Sequence, residues 1–307
     1  MQTLAPFRLA PFFSPRVWGR PNLRPWYPET GTSELVGEAW LTGPDSLIET
    51  GPFTGRTLAS AVAEFPSEIL NPAAVPEFPL LVKLLFPNDK LSVQVHPDDA
   101  HAQAIGQPRG KTECWYVLEA EPGASVALGL KPNVTLEALA ASAADNTMED
   151  LIEQVPVSVG DMVFVDAGTI HAIGPGMTLL ETQQTSDITY RLYDYDRPRE
   201  LHVEDALRVM KPHTRARKVA PVQQDGYVRL IQEQYFTVDR FSIKANGPRP
   251  FAPSPVPQIF VGIAGEATLE SSGERIALER GKAIIVPAGS TVLLQSETQA
   301  EFVRAIP

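Results

Sequence analysis

Apolar and polar residues alternate in short runs along much of the chain, and turn residues separate the runs. In LSVQVH (91–96), Leu91, Val93 and Val95 share one face of an extended segment, while Ser92, Gln94 and His96 share the other. Further strand-like segments are LLVKLLF (80–86), ECWYVLE (113–119), SVALGL (125–130), DMVFV (161–165), TLLETQQ (178–184) and ITYRLYDY (188–195). A second set follows at FTVDRFSI (236–243), QIFVGIAG (258–265), EATLE (266–270), ERIAL (274–278), AIIV (283–286) and STVLLQ (290–295). Many short strands with turn signals between them predict an all-β protein of sandwich or barrel type. Helical pattern is confined to three places. The segment at 57–70 is interrupted by Pro66, that at 134–155 has caps near Thr135 and Asn146–Thr147, and that at 202–210 is a short amphipathic piece.

One pattern occurs twice. GDMVFVDAGTIHAIG (160–174) and GKAIIVPAGSTVLLQ (281–295) align glycine with glycine, Gly160 with Gly281 and Gly168 with Gly289, but set Val292 where His171 stands. The chain is therefore expected to hold the same supersecondary unit twice, with chemistry kept in one copy. The polar, proline-containing stretch 212–226 supplies a boundary, giving units of 1–215 and 226–307, and the 134–155 segment is an insertion in the first.

Composition narrows the classes of function. Of 307 residues, 43% are apolar and 21% charged, a soluble globular profile, and no apolar run approaches the roughly 18 residues that span a bilayer. Lys and Arg number 26 against 37 Asp and Glu, a net charge of −11 that argues against a nucleic-acid surface. It leaves room for a small anion in a locally basic cleft. Cys114 is the sole cysteine, which excludes an intrachain disulfide and fits the cytoplasm. The sequence leaves the oligomeric state open.

Polar groups set into alternating strands carry the candidate chemistry. His96, Glu113 and His171 supply two imidazoles and a carboxylate, and Gln94 adds an amide oxygen two residues from His96. The set suits zinc with an open position, or Fe, Mn or Co. Lys111 shares a strand face with Glu113, and Arg191 with Tyr193 and Tyr195. Lys83, Lys111, Arg191 and Arg197 are candidates to hold an anion. His101, His202 and His213 stand in polar or helical surroundings and are read as surface residues.

The two glycine turns resemble the second signature of the cupin superfamily. LSVQVHPDD, GKTECWYVL, GTIHAIGPG and ETQQTSDITYRLYDYDR, with RVWG and GEAW nearer the N-terminus, resemble type I mannose-6-phosphate isomerase in its short bacterial form. The resemblance covers most of residues 15–200 and, beyond about 215, rests on the second turn. It implies two cupin-like (jelly-roll) β-barrel units with small helical insertions, the first catalytic and the second without metal ligands. It also implies one zinc ion per chain and isomerisation between mannose 6-phosphate and fructose 6-phosphate through an enediol. Carried over residue by residue, His96, Glu113, His171 and Gln94 match the metal ligands, Arg191 the catalytic arginine, and Lys111 the lysine beside the metal glutamate. Asp166 departs from the proline usual in the turn. The proton-transferring base stays open among Asp194, Glu181 and a metal-bound water. A metal-dependent cupin oxygenase and a non-catalytic sugar-binding cupin are the alternative readings.

Overall fold

The computed structural model describes residues 4–29, 34–71, 77–145, 147–271 and 273–307. Its strands form four antiparallel sheets, two to each unit. In the first unit a seven-stranded sheet runs in the order Arg217–Val219, Met162–Val165, Glu113–Ala120, Met177–Gln184, Leu80–Leu85, Val36–Trp40, Phe12–Arg20. A five-stranded sheet faces it, in the order Tyr190–Tyr193, Val93–Val95, His171–Ile173, Ser125–Leu130, Ile152–Pro156. The second unit pairs another seven-stranded sheet with a four-stranded one. The all-β class is as expected, but the sheets remain separate instead of closing into barrels.

Burial explains why the central strands are apolar at almost every position. Trp115 and Val117 point between the first unit's sheets, with Leu85, Val163 and Leu179. The alternate residues Cys114, Tyr116, Phe164 and Leu180 point the other way, into a core shared with Ile259, Val261, Ile285 and Val303 of the second unit. The central strands of the two seven-stranded sheets are thus buried on both faces, and Met177–Gln184 has no exposed position. The N-terminal strand Phe7–Leu9 binds the units further by pairing with Ala283–Val286 of the second. Within the stretch 212–226, Arg217–Val219 joins the first unit's sheet and Val222–Gln224 the second's.

The helices are short. Pro66 splits the first helical segment into Leu58–Glu64 and Pro66–Ile69, as its missing N–H demands. In the segment 134–155, Thr135 accepts the Ala138 amide at 3.2 Å and opens the helix Leu136–Asp145. Asn146 lies outside the described residues. The rest of this segment departs from the helical expectation. A 3-10 turn at Met148–Leu151 leads into the strand Ile152–Pro156, which pairs with Ser125–Leu130. Pro156 and β-branched Val155 favour that extended state, and the open sheet edge supplies the partner. Among the described residues no helix is long and apolar enough to cross a membrane.

Candidate metal centre and active site

Three strands and one turn bring the expected ligands together. Gln94 stands opposite His171 across the ladder between Val93–Val95 and His171–Ile173. Glu113 begins a strand of the facing sheet, Glu113–Ala120, beside the central strand Met177–Gln184. The turn before His171 is held to the His96 segment by the Gly168 amide, which donates to the His96 carbonyl at 2.8 Å. Gly168 has φ of +90°, and a Cβ there would meet the Lys211 side chain at 2.7 Å, so only glycine fits. As a result, single donor atoms of His96, Glu113 and His171 all lie within 4.8 Å of one another, and all three residues are buried.

The donor atoms are prepared for a cation. His96 donates from Nδ1 to the Ile188 carbonyl at 2.8 Å, and His171 from Nδ1 to the Thr169 carbonyl at 2.9 Å. A carbonyl only accepts, so each ring carries its proton on Nδ1 and turns a bare Nε2 inward. These nitrogens lie 3.6 and 3.5 Å from the buried Glu113 carboxylate, whose Oε1 receives no hydrogen bond. Burial holds the His171 pKa down at about 4, helped by Lys111, and holds His96 well below the usual histidine range. Both imidazoles are therefore free of a second proton at neutral pH. A buried carboxylate with one oxygen unpaired, beside two unprotonated ring nitrogens, fits a divalent metal of the zinc type.

Lys111 stands against this cluster. Its ammonium is 2.8 Å from Glu113 Oε2 and 3.1 Å from His96 Nε2. Burial opposes its charge, but Glu113, Glu181 and Asp187 outweigh burial and raise its pKa. Gln94 presents its amide nitrogen to His171 Nε2 at 3.3 Å. Coordination by Gln94 needs the oxygen on that side, which a half-turn of the amide supplies.

A cleft of about 440 Å³ opens beside Lys111 and Gln94. Its cations are Arg16, Lys83, Lys111, Arg191 and Arg199, and its carboxylates Glu38, Glu181 and Asp187. Lys83 is fully buried, 3.5 Å from both Glu181 and Asp187 and 4.7 Å from the centre of the Trp40 ring. Glu181 also accepts from the Trp115 indole at 3.2 Å, and burial, reinforced by Glu113, raises its pKa to about 7.

Other expectations change. Arg197 does not line the cleft, because Asp89, Asp194 and the Lys90 carbonyl hold it at the surface. Asp194 is buried under Arg199, which grips both its oxygens, so it is no cleft base. Arg191 lines the cleft, but Tyr193 and Tyr195 do not share its face. The ladder shifts register after Arg191, and Tyr195 leaves the strand with φ of 54° to donate to Glu149 at 3.0 Å. Arg16 and Arg199 went unrecognised in the sequence. RVWG was the available signal for Arg16, whereas Arg199 sits in an irregular loop with no pattern.

Ladder register locates the corresponding positions in the second unit. Phe251 faces Val292 as Gln94 faces His171, and Gln258 faces Val286 as Glu113 faces Val165. Arg304 pairs with Asp239 where Glu181 pairs with Lys83, an ion pair with its signs exchanged in which Asp239 is buried and Arg304 half-buried. Phenylalanines fill the interior: Phe241 stacks on Phe302 at 5.2 Å, and Phe251 stands edge-on to Phe260 at 5.0 Å.

Two units of paired antiparallel sheets, with a His–Glu–His cluster found among the described residues in the first alone, define a two-cupin protein with a candidate metal centre. Residues 7–136 match the model of the phosphomannose isomerase type I catalytic domain, and residues 228–306 that of the mannose-6-phosphate isomerase cupin domain. A mannose-6-phosphate isomerase of Streptococcus mutans is 35% identical over 89% of this chain and 89% of its own. A probable mannose-6-phosphate isomerase of Bacillus subtilis is 34% identical, covering 92% of this chain and 93% of its own. The crystal structure of a Bacillus subtilis mannose 6-phosphate isomerase superposes with a TM-score of 0.87 at 30% identity, over 98% of this chain and 99% of that one. The chain belongs to the type I mannose-6-phosphate isomerase family.

Proposed function

We propose that the protein is a cytoplasmic, zinc-dependent isomerase that interconverts mannose 6-phosphate and fructose 6-phosphate, with the chemistry in residues 1–215. One observation carries the reading: two unprotonated imidazole nitrogens and a buried carboxylate, its Oε1 unpaired, converge beside a cleft walled by five cations. His96, Glu113 and His171 would hold one zinc ion, with Gln94 as the fourth protein donor. A bound metal supplies Lewis-acid polarisation of the sugar oxygens.

The remaining chemistry belongs to the chain. Moving the carbonyl between C1 and C2 takes a proton from one carbon and returns it to the other, with negative charge developing on the oxygens between. Glu181 is the cleft carboxylate poised for this transfer, since a pKa of about 7 lets it both accept and return a proton near neutral pH. Lys111 and Arg191 stabilise the enediolate as fixed cations. Arg191 is suited to this, because its Nε is buried without a hydrogen-bond partner while Nη1 is anchored on the Glu200 carbonyl at 2.8 Å. Arg16, Lys83 and Arg199 add positive charge for the phosphate. An oxygenase for an aromatic substrate would need an apolar pocket, which this charged cleft does not offer.

The test is to assay the zinc-loaded protein with mannose 6-phosphate, scoring fructose 6-phosphate, beside a chelated sample. Product that vanishes on chelation and returns with zinc supports the reading. A metal-loaded protein that forms none overturns it.

A further inference from the structure

The second unit does more than cover the first. One of its turns, residues 233–236, reaches both loops that build the metal centre. Tyr235 donates its hydroxyl to Asp99 Oδ2 at 2.7 Å. The other oxygen of Asp99 accepts from the Gly110 amide at 2.8 Å and the Gln184 side-chain amide at 3.0 Å. Gln184 Oε1 in turn accepts from the Thr112 amide at 2.9 Å. Lys111 is therefore bracketed on both sides by groups that end on Tyr235. The bracket is tight, since a Cβ on Gly110 would meet the Pro97 carbonyl oxygen at 2.4 Å.

Glu233 makes the second arm. Its two oxygens receive Arg215 and Arg217, each at 3.0 Å. The Arg215 amide donates to both oxygens of Asp166, at 3.1 and 3.0 Å, and Asp166 accepts the Thr169 hydroxyl at 3.0 Å. Thr169 is the residue whose carbonyl fixes the His171 ring. Asp166, the residue set where a proline is usual, thus has a structural use: it ties the His171 turn to the second unit. Phe236, buried in the same turn, packs on Phe164 at 6.5 Å and anchors both arms in the shared core.

We propose that Tyr235 and Glu233 are positioning residues, a two-armed clamp by which the metal-free unit sets Lys111 and the His171 ring. The proposal rests on the roles assigned above to Lys111 and His171. Neither clamp residue touches the cleft, so each acts through the loop it holds.

The test compares Tyr235→Phe and Glu233→Gln with Tyr27→Phe in the full chain. Tyr27 is a matched control: its buried hydroxyl donates to the Gly281 carbonyl of the second unit at 2.6 Å, away from the cleft. Tyr235→Phe is expected to lower kcat on the order of tenfold with KM nearly unchanged, as misplacement of a catalytic group does. Glu233→Gln is expected to weaken Co2+ binding about tenfold and to alter the visible spectrum of the Co2+-loaded protein, as loss of support behind a metal ligand does. Tyr27→Phe should lower Tm and leave kcat and the Co2+ spectrum as they are. Wild-type kcat in Tyr235→Phe, or losses in the clamp variants that Tyr27→Phe reproduces, would overturn the proposal. Should the wild type prove inactive on mannose 6-phosphate, the proposed function fails by itself. Co2+ affinity and spectrum then judge the clamp: changed in Glu233→Gln alone they support it, and unchanged they overturn it.

Discussion

His171 and Val292 occupy the same place in their two units. Each stands three residues after a left-handed glycine and begins the strand that crosses to a partner, Gln94 for one and Phe251 for the other. Only His171 has a second ring nitrogen to offer once its first is bound to a carbonyl. Val292 instead packs among Phe241, Phe251 and Leu294.

Substitution at the two sites should separate their roles. His171→Ala is expected to abolish metal retention, measured by elemental analysis of the dialysed protein. Val292→Ala should keep one metal per chain while losing about 2 kcal/mol of stability in a denaturant titration, the cost of removing buried methyls. Equal metal loss in both variants would contradict the assignment.

The arginines sort by what already holds them. Arg191 lines the cleft, and its buried Nε has no hydrogen-bond partner, so Arg191→Lys should lower kcat/KM by about 10²-fold, the scale for loss of one oriented donor to a developing charge. Arg199 carries cleft charge while gripping Asp194, and Arg199→Gln should raise KM several-fold. Arg197 is committed to Asp89 and Asp194 outside the cleft, and Arg197→Gln should leave KM within about twofold of wild type. Steady-state kinetics at fixed ionic strength decides all three.

What could be read from the chain follows from where periodicity survives. His96, Glu113 and His171 stand in or beside regular strands, where the period of two assigns a face without knowledge of the partner strand. Arg16 lies where the ladder slips beside Pro15, and Arg199 lies in a loop, so neither had a face to assign. Tyr195 failed for a related reason: a positive φ ends the alternation at a residue whose type gives no warning. The counterpart of Glu113 also escaped, because loop lengths differ between the units and only the ladder equates it with Gln258. The strand Ile152–Pro156 exists because a sheet edge awaited it, a tertiary demand that local helix propensity does not record.

Lys83 should prove indispensable to Glu181. The two are fully buried, and Lys83→Met would leave the carboxylate facing only Trp115 and the more distant charges. Breaking a buried pair from one side costs about 3–5 kcal/mol. Adding Glu181→Gln to Lys83→Met removes the stranded charge, so the double variant should recover most of that stability while staying inactive. Urea unfolding of the metal-free single and double variants above pH 7, where wild-type Glu181 is ionised, measures the recovery, and strictly additive losses would show that the pair does not act as a unit.

The pH dependence of stability offers a separate view of Glu181. Burial raises its pKa from 4.5 to about 7 in the metal-free protein, so the folded state keeps a proton that the unfolded state has released. Between those two values this group binds fewer protons in the unfolded chain, and its contribution to stability falls as pH rises. The contribution is fully present below about pH 4.5 and is lost as pH passes through 7. Glu181→Gln cannot ionise, so its stability relative to wild type should rise across the same window, while the opposite contribution of the depressed His96 and His171 is shared by both proteins. Denaturant midpoints of the metal-free proteins at half-unit pH intervals test it. Parallel curves for wild type and Glu181→Gln would mean that Glu181 is already ionised when folded, and the proton transfer would then need another carrier.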